Sequence, residues 1–430
     1  MNILKYPSRE EWQKVCTRPH IDNSSLRQLV MNVLNDVRQE GDKAVRRYEK
    51  EFDKVDLSDL QVSDAELSES DSLVSEELKA ALHLAHQNIS RFHASQAFEP
   101  KRVETCEGVT CWQKSVPVEK VGLYIPGGTA PLFSTVLMLA TPARIAGCGE
   151  IVLCTPPNRE GKVNPAILQA AKIAGVSKIF KIGGVQAIGA MAYGTESVPK
   201  VFKIFGPGNQ FVVCAKQIVS VSDVAIDMPA GPSEVEAVAD DSANVSFVAA
   251  DLLSQAEHGV DSQVLLVTTS EALINQVREE IDRQLSALPR KDIASRSLEN
   301  SHIVLLRDIE DVMALTNEYA PEHLILAVRN AEEVAEQVRN AGSVFIGNYS
   351  CESAGDYASG TNHTLPTNGY AKAYSGVCLD SFMKRITFQQ LTDKGIRTIG
   401  PAVIEMSHNE QLDAHRNAMA VRLKEVNGDF

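Results

Sequence analysis

The sequence has few aromatic residues, and its charge is predominantly negative. Aromatic side chains make up 6% of the 430 residues, and tryptophan occurs twice. Nucleic-acid surfaces stack bases on aromatic rings and neutralise phosphates with basic patches, so this composition does not favour one. The formal net charge of −14 points the same way, because an acidic protein repels a phosphate backbone. We therefore expect no nucleic acid among the partners.

Long apolar runs and closely paired cysteines are also lacking. No window approaches the roughly 18 apolar residues of a membrane span, and the N-terminus turns acidic without the apolar core of a secretory signal. We expect a cytoplasmic protein with no membrane association. The eight cysteines include no C-x-x-C pair, and most lie in apolar runs, which is typical of buried thiols in a reducing compartment.

The order of the predicted elements indicates two α/β domains. The chain is too long for one small core. Strands and helices alternate from about residue 120, and a second such series begins near 234, which predicts right-handed crossovers and parallel sheets. The predicted fold class is α/β: two doubly wound, incomplete Rossmann-like parallel-sheet domains in tandem, plus a small N-terminal helical and a C-terminal mainly helical segment.

The domain boundaries follow from changes in this pattern. We expect an N-terminal segment at 1–22, a helical region at 23–119 that packs with the second α/β domain, the first α/β domain at 120–233, the second at 234–380, and a tail domain at 381–430. Asn23, Ser24 or Ser25 is expected to cap the first long helix. In the tail, R-I-T-F-Q-Q-L-T is read as one of several amphipathic, mainly helical segments.

Three glycine-rich turns follow predicted strands of the first α/β domain. They are Y-I-P-G-G at 124–128, I-G-G-V-Q at 182–186 and F-G-P-G-N at 205–209. Free backbone N–H groups and the helix dipole favour phosphate at such turns, so a phosphate or nucleotide site is one hypothesis and tight strand–helix packing is the other. The fingerprint G-x-G-x-x-G is missing. An acidic residue at the end of the second strand is missing too, since Pro156 and Pro157 stand there.

Gln, Asp and His residues of the second domain and the tail are candidate metal ligands. Gln255 and His258 are three residues apart near a predicted helix end, so they lie on one face and can share a ligand. Asp356 adds an anionic oxygen, and His363 or His415 adds a nitrogen. Such a set suits zinc, or alternatively manganese or cobalt. A polar cluster at the end of a helix is the alternative interpretation.

Glu322 and His323 are candidates for proton transfer. They are adjacent and follow Pro321, so their side chains point in different directions and could serve two separate proton-transfer steps. An ion pair or a helix cap is the alternative interpretation.

Seven motifs in this order resemble the histidinol dehydrogenase family. They are V-G-L-Y-I-P-G-G, K-I-F-G-P-G-N, D-M-P-A-G-P-S-E, D-L-L-S-Q-A-E-H-G, P-E-H-L, S-A-G-D-Y-A-S-G-T-N-H and L-D-A-H-R-N-A-M. The resemblance covers about residues 25 to 425. It implies a zinc enzyme that completes histidine biosynthesis by oxidising L-histidinol to L-histidine through bound L-histidinaldehyde, with two NAD as acceptors.

The resemblance also implies site residues and an assembly. It implies Glu322 and His323 as the acid–base pair and one Zn²⁺ per subunit, with the ligands Gln255, His258, Asp356 and His415. It implies NAD contacts at Tyr124, Gln186 and Asn209. The implied substrate contacts are Ser233, Gln255, His258, His323, Asp356, His363, Glu410 and His415, with His363 in a supporting role. It further implies a homodimer with a shared active site, in which the tail that carries Glu410 and His415 reaches the other subunit.

Three other functions remain open at this stage. One is a paralogous zinc- and NAD-dependent dehydrogenase that acts on another small amino or hydroxy compound. Another is a zinc hydrolase that uses Glu322 or Glu257 as its base and no nicotinamide. The third is a metal-stabilised binding protein without turnover.

Overall fold

The computed structural model describes residues 1–18, 24–127, 130–229 and 231–428. Asn23, one of the three capping candidates, and Gly128, in the first glycine-rich turn, lie outside these residues. The strands are β1 Asn2–Lys5, β2 Arg102–Cys106, β3 Val109–Pro117, β4 Lys120–Tyr124, β5 Glu150–Thr155, β6 Lys178–Lys181, β7 Lys203–Phe205, β8 Ala225–Ile226, β9 Glu234–Ala239, β10 Gln263–Thr268, β11 His302–Leu305, β12 His323–Ala327, β13 Ser343–Ile346 and β14 Met383–Leu391.

The α-helices connect and cover these strands. They are α1 Trp12–Cys16, α2 Ser24–Glu40, α3 Asp42–Tyr48, α4 Asp64–Leu73, α5 Glu76–Ala94, α6 Phe133–Ala146, α7 Pro165–Ala174, α8 Gly184–Tyr193, α9 Gln210–Ser220, α10 Val245–Ala256, α11 Glu271–Leu285, α12 Lys291–Glu299, α13 Ile309–Tyr319, α14 Ala331–Ala335, α15 Glu352–Tyr357, α16 Asp393–Asn409 and α17 Asp413–Asn427. A π-helical turn, Glu49–Asp53, follows α3, and two short 3₁₀ turns are Tyr370–Lys372 and Leu379–Phe382.

Two parallel sheets share one strand order. The first sheet runs β6-β5-β4-β7-β8, and the second runs β1-β11-β10-β9-β12-β13. Counted along each domain, both orders are 3-2-1-4-5, with β1 added at one edge of the second sheet. Every neighbouring pair in both sheets is parallel. This is the strand order 3-2-1-4-5-6 of a dinucleotide-binding fold without its sixth strand. The prediction of two doubly wound α/β domains is therefore confirmed.

The helical region packs on the first sheet's helices, and the prediction that it packs with the second domain is wrong. Val30, Val33 and Val37 of α2 share one hydrophobic cluster with Ile188 and Met191 of α8. α5 packs on α6 in a neighbouring cluster. An apolar helical stripe shows that one face is buried, but it carries no information about which sheet covers it.

The N-terminal segment is partly a strand. β1 pairs in parallel with β11, and only α1 is helical in residues 1–18. The small N-terminal segment therefore contains a strand as well as a helix. A four-residue strand is too short to show an alternation that can be told from other patterns.

The chain divides into two compact units. The large unit comprises Met1–Gln96 and Val118–Phe382 and contains both parallel sheets, whereas the small unit comprises Ala97–Pro117 and Met383–Phe430. The tail therefore folds with a hairpin that the predicted boundaries assigned to the helical region.

The small unit contains an antiparallel sheet, ordered β14-β3-β2, and the helices α16 and α17. All but the last residue of the segment R-I-T-F-Q-Q-L-T lies in β14, so the interpretation of this part of the tail as helical is wrong. Phe388 opposes Trp112 on β3 with ring centroids 5.3 Å apart, and such cross-strand aromatic pairs stabilise a sheet.

Two simpler expectations can be compared with the structure. All eight cysteines lie in the described residues and are free thiols. Within the described ranges, no helix has the length and apolar character that crossing a membrane requires.

Candidate active site

The candidate acid–base pair lies at the amino edge of the second sheet. α13 ends where Ala320 adopts a left-handed conformation, with φ of 54°, and Pro321 follows. The next residue, Glu322, stands directly before β12, and His323 is the first residue of that strand. Glu322 is 6% exposed and His323 is 3% exposed. A helix end and a strand start thus hold two titratable side chains inside the protein.

The carboxylate of Glu322 is anchored on one oxygen. Oε2 accepts a hydrogen bond of 2.9 Å from the backbone N–H of Glu234, and Nε2 of Gln255 lies 3.4 Å away. Burial raises the pKa of Glu322 to about 8, although the neighbouring His323 opposes the rise. A carboxyl group with a pKa near neutrality is suited to accept and return protons at physiological pH.

The N-terminal segment supports this anchor. Arg18 binds both carboxylate oxygens of Glu234, at 2.7 and 3.1 Å. The guanidinium also lies over the ring of Tyr319, 3.7 Å from its centroid, and donates to its carbonyl oxygen. A bidentate, buried ion pair has little freedom to move, so it fixes the strand start whose N–H holds Glu322.

His323 is held between an amide and a carboxylate. Nδ1 is 3.2 Å from Nε2 of Gln255, and Nε2 is 3.2 Å from Oδ1 of Asp356. An amide nitrogen only donates, so this network assigns an acceptor role to Nδ1 and a proton to Nε2. Burial alone would lower the pKa of His323, but the carboxylates of Glu352, Glu322 and Asp356 raise it to about 10. The environment therefore attracts positive charge.

Three side chains converge on one position suited to a cation. His258, Glu352 and Asp356 each offer a ligand atom, and these atoms all lie within 4.8 Å of one another. Glu352 and Asp356 are four residues apart on α15, which places them on the same helix face. Gly355 lets this helix approach β13, since a Cβ there would lie 2.6 Å from the ring of Phe345.

Two further observations match a divalent metal ion to this position. Oε1 of Gln255 and Oε2 of Glu352 are buried and have no hydrogen-bond partner among the described residues. In the same ranges, the only ion-pair partner of Glu322 and of Asp356 is His323. Buried oxygen donors with excess negative charge, next to the more exposed imidazole of His258, are what a bound cation requires, so the residues present fit one.

The remaining substrate-site candidates of the large unit lie beside this cluster. Nδ1 of His363 is 2.9 Å from the carbonyl oxygen of Asp356, and Nε2 is 3.0 Å from Oγ1 of Thr135. Both ring nitrogens are therefore engaged, which suits a supporting role better than metal ligation. Ser233 directly precedes β9, and its carbonyl oxygen accepts from the N–H of Gln263.

Glu410 and His415 belong to the small unit. Glu410 caps the end of α16, His415 lies in α17, and both side chains are exposed. Among the residues that the structure describes, the group of three possible ligands does not include His415.

The three cofactor candidates lie at the carboxyl edge of the first sheet. Tyr124 ends β4, and its hydroxyl accepts from the N–H of Gly184 at 3.1 Å. Gln186 is fully buried in α8 and donates through Nε2 to Glu49 at 2.8 Å. Asn209 caps α9 by accepting from two backbone N–H groups. Gly206 has φ of 124°, and a Cβ there would lie 2.1 Å from the carbonyl oxygen of Tyr124, so only glycine fits this turn.

Both glycine N–H groups of the turn at 182–186 are bound to protein side chains. The N–H of Gly183 donates to Oε1 of Glu49 at 2.9 Å, and the N–H of Gly184 is taken by Tyr124. Burial raises the pKa of Glu49 to about 8. Glu49 and Tyr124 thus accept from the glycine N–H groups that the phosphate hypothesis assigned to a ligand at this turn.

Residue-by-residue reading of the sequence missed Glu352 and Asp251. Burial raises the pKa of Glu352 to about 8 and that of Asp251 to about 7. Asp251 precedes Gln255 by four residues, as Glu352 precedes Asp356. That i, i+4 spacing of acidic and amide side chains on one helix face is a signal in the sequence that points to both.

Comparisons with known proteins identify relatives along nearly the whole chain. A family model described as Histidinol dehydrogenase matches residues 16–423. Histidinol dehydrogenase of Bacteroides thetaiotaomicron is 66% identical over 423 residues, which is 98% of this chain and 99% of that protein. The Salmonella typhimurium enzyme is 49% identical over 97% of this chain and 96% of that protein. A crystal structure of histidinol dehydrogenase from Elizabethkingia anophelis matches with a TM-score of 0.97 and 55% identity, covering 99% of each chain.

Proposed function

The chain belongs to the histidinol dehydrogenase family and is an oxidoreductase that oxidises histidinol in histidine biosynthesis, and from this premise we propose that it uses NAD and a zinc ion. In this proposal L-histidinol loses four electrons to two NAD, and L-histidinaldehyde stays bound between the two oxidations until L-histidine forms. The working protein is a homodimer in the cytoplasm.

The metal part of the proposal is supported by the donor set at the amino edge of the second sheet. The proposed ligands are Gln255, His258, Asp356 and His415. Manganese or cobalt fits the same nitrogen and oxygen donors. NAD, when bound, accepts hydride in both oxidations, and the metal ion, when bound, anchors the imidazole and amine of histidinol.

In the first oxidation His323 accepts the proton of the alcohol. The ring has to be neutral for this step. Engagement of Asp356 by a cation removes part of the negative charge that raises the pKa of His323, so it favours the neutral ring.

In the second oxidation Glu322 activates water. Oε2 remains anchored on the N–H of Glu234, so Oε1 is the oxygen that takes a proton from a water molecule attacking the aldehyde. The resulting hydrate then loses its second hydride and a proton to give the carboxylic acid. The raised pKa of Glu322 matches a group that must take up a proton and release it in each cycle.

The cofactor and shared-site parts have separate support. Tyr124, Gln186 and Asn209, the proposed NAD contacts, stand at the carboxyl edge of the first sheet, where nucleotides bind in such folds. Glu410 and His415 are proposed to act in the active site of the other subunit. Their helices leave exposed apolar side chains such as Met406 and Leu412, and α17 buries no residue.

Mixed dimers test the shared site. In a purified heterodimer of a His415→Ala chain and a His258→Ala chain, one of the two sites keeps both histidines if the tail reaches across. We expect about half of the wild-type turnover, against almost none in either homodimer. A heterodimer as inactive as the homodimers would refute the sharing.

The observation that carries this function is the placement of His323 between Gln255 and Asp356 with Glu322 beside it. The assay follows NADH absorbance with L-histidinol and NAD before and after chelation. We expect two NADH per histidinol, loss of activity with the chelator and its return with Zn²⁺. If NADH does not appear, NAD-dependent oxidation is refuted. Activity that survives complete metal removal refutes the zinc part.

A further inference from the structure

The acidic residue that is missing after β5 is supplied by another part of the chain. In dinucleotide-binding folds, an acidic side chain at the end of the second strand binds the ribose hydroxyls of the cofactor. Here that strand runs into Pro156 and Pro157. The carboxylate that stands beside them is Asp53, the last residue of the π-helical turn Glu49–Asp53, after which Lys54 reverses the chain in a left-handed conformation.

Gly183 locates this carboxylate in the fold. A Cβ on Gly183 would lie 2.8 Å from Cβ of Pro156 and 3.2 Å from Oδ2 of Asp53. Asp53 and Pro156 therefore flank the same glycine, which follows β6. The carboxylate stands at the carboxyl edge of β5 and β6, the position that the acidic residue of the fingerprint occupies in other folds of this order. A π-helical turn is an uncommon element that is frequent at functional sites.

The surroundings of Asp53 suit a hydroxyl donor and disfavour a phosphate. The two glycine N–H groups of the turn are already bound to Glu49 and Tyr124. Glu49 is fully buried and cannot reach a ligand, but its charge adds to that of Asp53 above its pKa. Asp53 is only partly buried, and its one hydrogen-bond contact within the described ranges, with Nε2 of Gln186, is long at 3.5 Å. Its oxygens thus keep the capacity to accept.

We propose that Asp53 accepts hydrogen bonds from the adenosine ribose of the dinucleotide and selects NAD over NADP by repelling the 2′-phosphate. This rests on the proposed NAD dependence and names the residue that sets the cofactor preference. Glu49 contributes indirectly, because it holds Gln186 and Gly183 in the positions that leave Asp53 facing the ligand.

The test compares Asp53→Asn with the wild type on both cofactors. The measured quantity is the ratio of kcat/KM for NAD to kcat/KM for NADP, with dissociation constants of both dinucleotides from equilibrium dialysis as a second readout. We expect the preference for NAD to fall at least about tenfold, the size of a lost hydrogen bond to a charged group. Asp53→Glu, which keeps the charge, should retain most of the preference.

The matched control is Asp56→Asn. Asp56 lies three residues further on, is exposed and pairs with Lys50 at 2.7 Å, so its replacement should leave the ratio unchanged. A wild type that forms no NADH from L-histidinol would defeat the proposed function itself. A wild type that prefers NAD, with Asp53→Asn folded by its thermal melt and a ratio within twofold of the wild type, would overturn the role of Asp53 alone.

Discussion

The two parallel sheets have the same strand order, yet they present functional side chains at opposite edges. The first sheet carries the cofactor candidates at its carboxyl edge, where the switch-point rule expects a ligand. The second sheet gathers the candidate acid–base pair and the candidate metal ligands Gln255, His258 and Asp356 around its amino edge. Strand order therefore does not decide which edge becomes a site; the residues that begin and end the strands decide it.

The residues that start the strands show this difference directly. In the first sheet, Lys120 and Lys178 pair with Glu150 at 3.2 and 2.8 Å, and these side chains are partly exposed. Such pairs contribute little to stability and perform no chemistry. The second sheet begins its strands with buried groups instead, among them Glu234 and His323. The surrounding carboxylates raise the pKa of His323 to about 10 against the effect of burial, and shifted pKa values are what proton transfer needs.

The largest effect is expected from the amino edge of the second sheet. His323→Asn should lower both half-reactions by about 10²- to 10⁴-fold, the usual contribution of a general base. Glu322→Gln should reduce aldehyde-to-acid oxidation by a similar factor and spare alcohol-to-aldehyde oxidation. Rates from L-histidinol and from L-histidinaldehyde, measured separately, check this. Equal losses in the two half-reactions of Glu322→Gln would contradict the division of roles.

The first sheet supplies the control for that comparison. Glu150→Gln changes a carboxylate at the start of a strand of the same topology, but in an exposed ion cluster. Activity should stay within about twofold of the wild type, and stability should change by less than about 1 kcal/mol. A large loss of turnover in this variant would remove the distinction between the two edges.

An intermediate effect is expected from Glu352→Gln. Loss of one anionic oxygen from the cluster should weaken metal binding by about 10- to 100-fold. Competition with a chelator, followed by the visible spectrum of the Co²⁺-loaded protein, measures this without relying on turnover. Glu257→Gln is the matched control, since Glu257 is adjacent to His258 but outside the cluster. Unchanged affinity in Glu352→Gln would show that Glu352 takes no part in metal binding.

The smallest effect on catalysis is expected from Glu49→Gln, which changes the pH dependence of stability. Burial raises the pKa of Glu49 from 4.5 to about 8. Between these pH values the unfolded chain loses this proton while the native protein keeps it. The stabilising contribution of Glu49 to the free energy of unfolding is therefore complete below about pH 4.5 and is lost as the pH rises to about 8. The slope is about 1.4 kcal/mol per pH unit.

Glutamine removes that slope while keeping the acceptor for Gly183. The free energy of unfolding of Glu49→Gln should therefore gain on the wild type as the pH rises from 5 to 8, with turnover near neutral pH preserved. Denaturant titrations across this range measure it. Glu51→Gln, exposed on the same π-helical turn, should run parallel to the wild type. A constant difference between Glu49→Gln and wild type would show that Glu49 does not titrate in this range.

Local patterns sufficed for the order of elements but not for their partners. The strands and helices from β4 to β13 follow apolar runs and glycine turns that can be read along the chain. The pairing of β14 with β3 joins segments some 270 residues apart, and no local pattern reports it. α2 packs closely on α8 because Gly189 of α8 has no side chain. A Cβ at that position would lie 3.2 Å from Val37 of α2.

The candidate site shows the same limit. Two of the candidate pairs can be recognised in the sequence because their members are near each other: Glu322 with His323, and Gln255 with His258. In the sequence Glu352 looks like a surface residue, but in the structure its side chain on α15 is buried. Asp53 is 130 residues from Gly183, the glycine that it flanks. Burial and long-range proximity are tertiary properties, so residue type and spacing alone do not reveal them.

The short strand β1 has a practical consequence for handling the protein. β11 is an apolar strand, His302–Leu305, and β1 covers one side of its backbone with four residues that end in Lys5. A variant that lacks residues 1–5 would expose the backbone of β11 to other molecules, and exposed edge strands template aggregation. Such a variant should precipitate on concentration, although it would keep every candidate site residue.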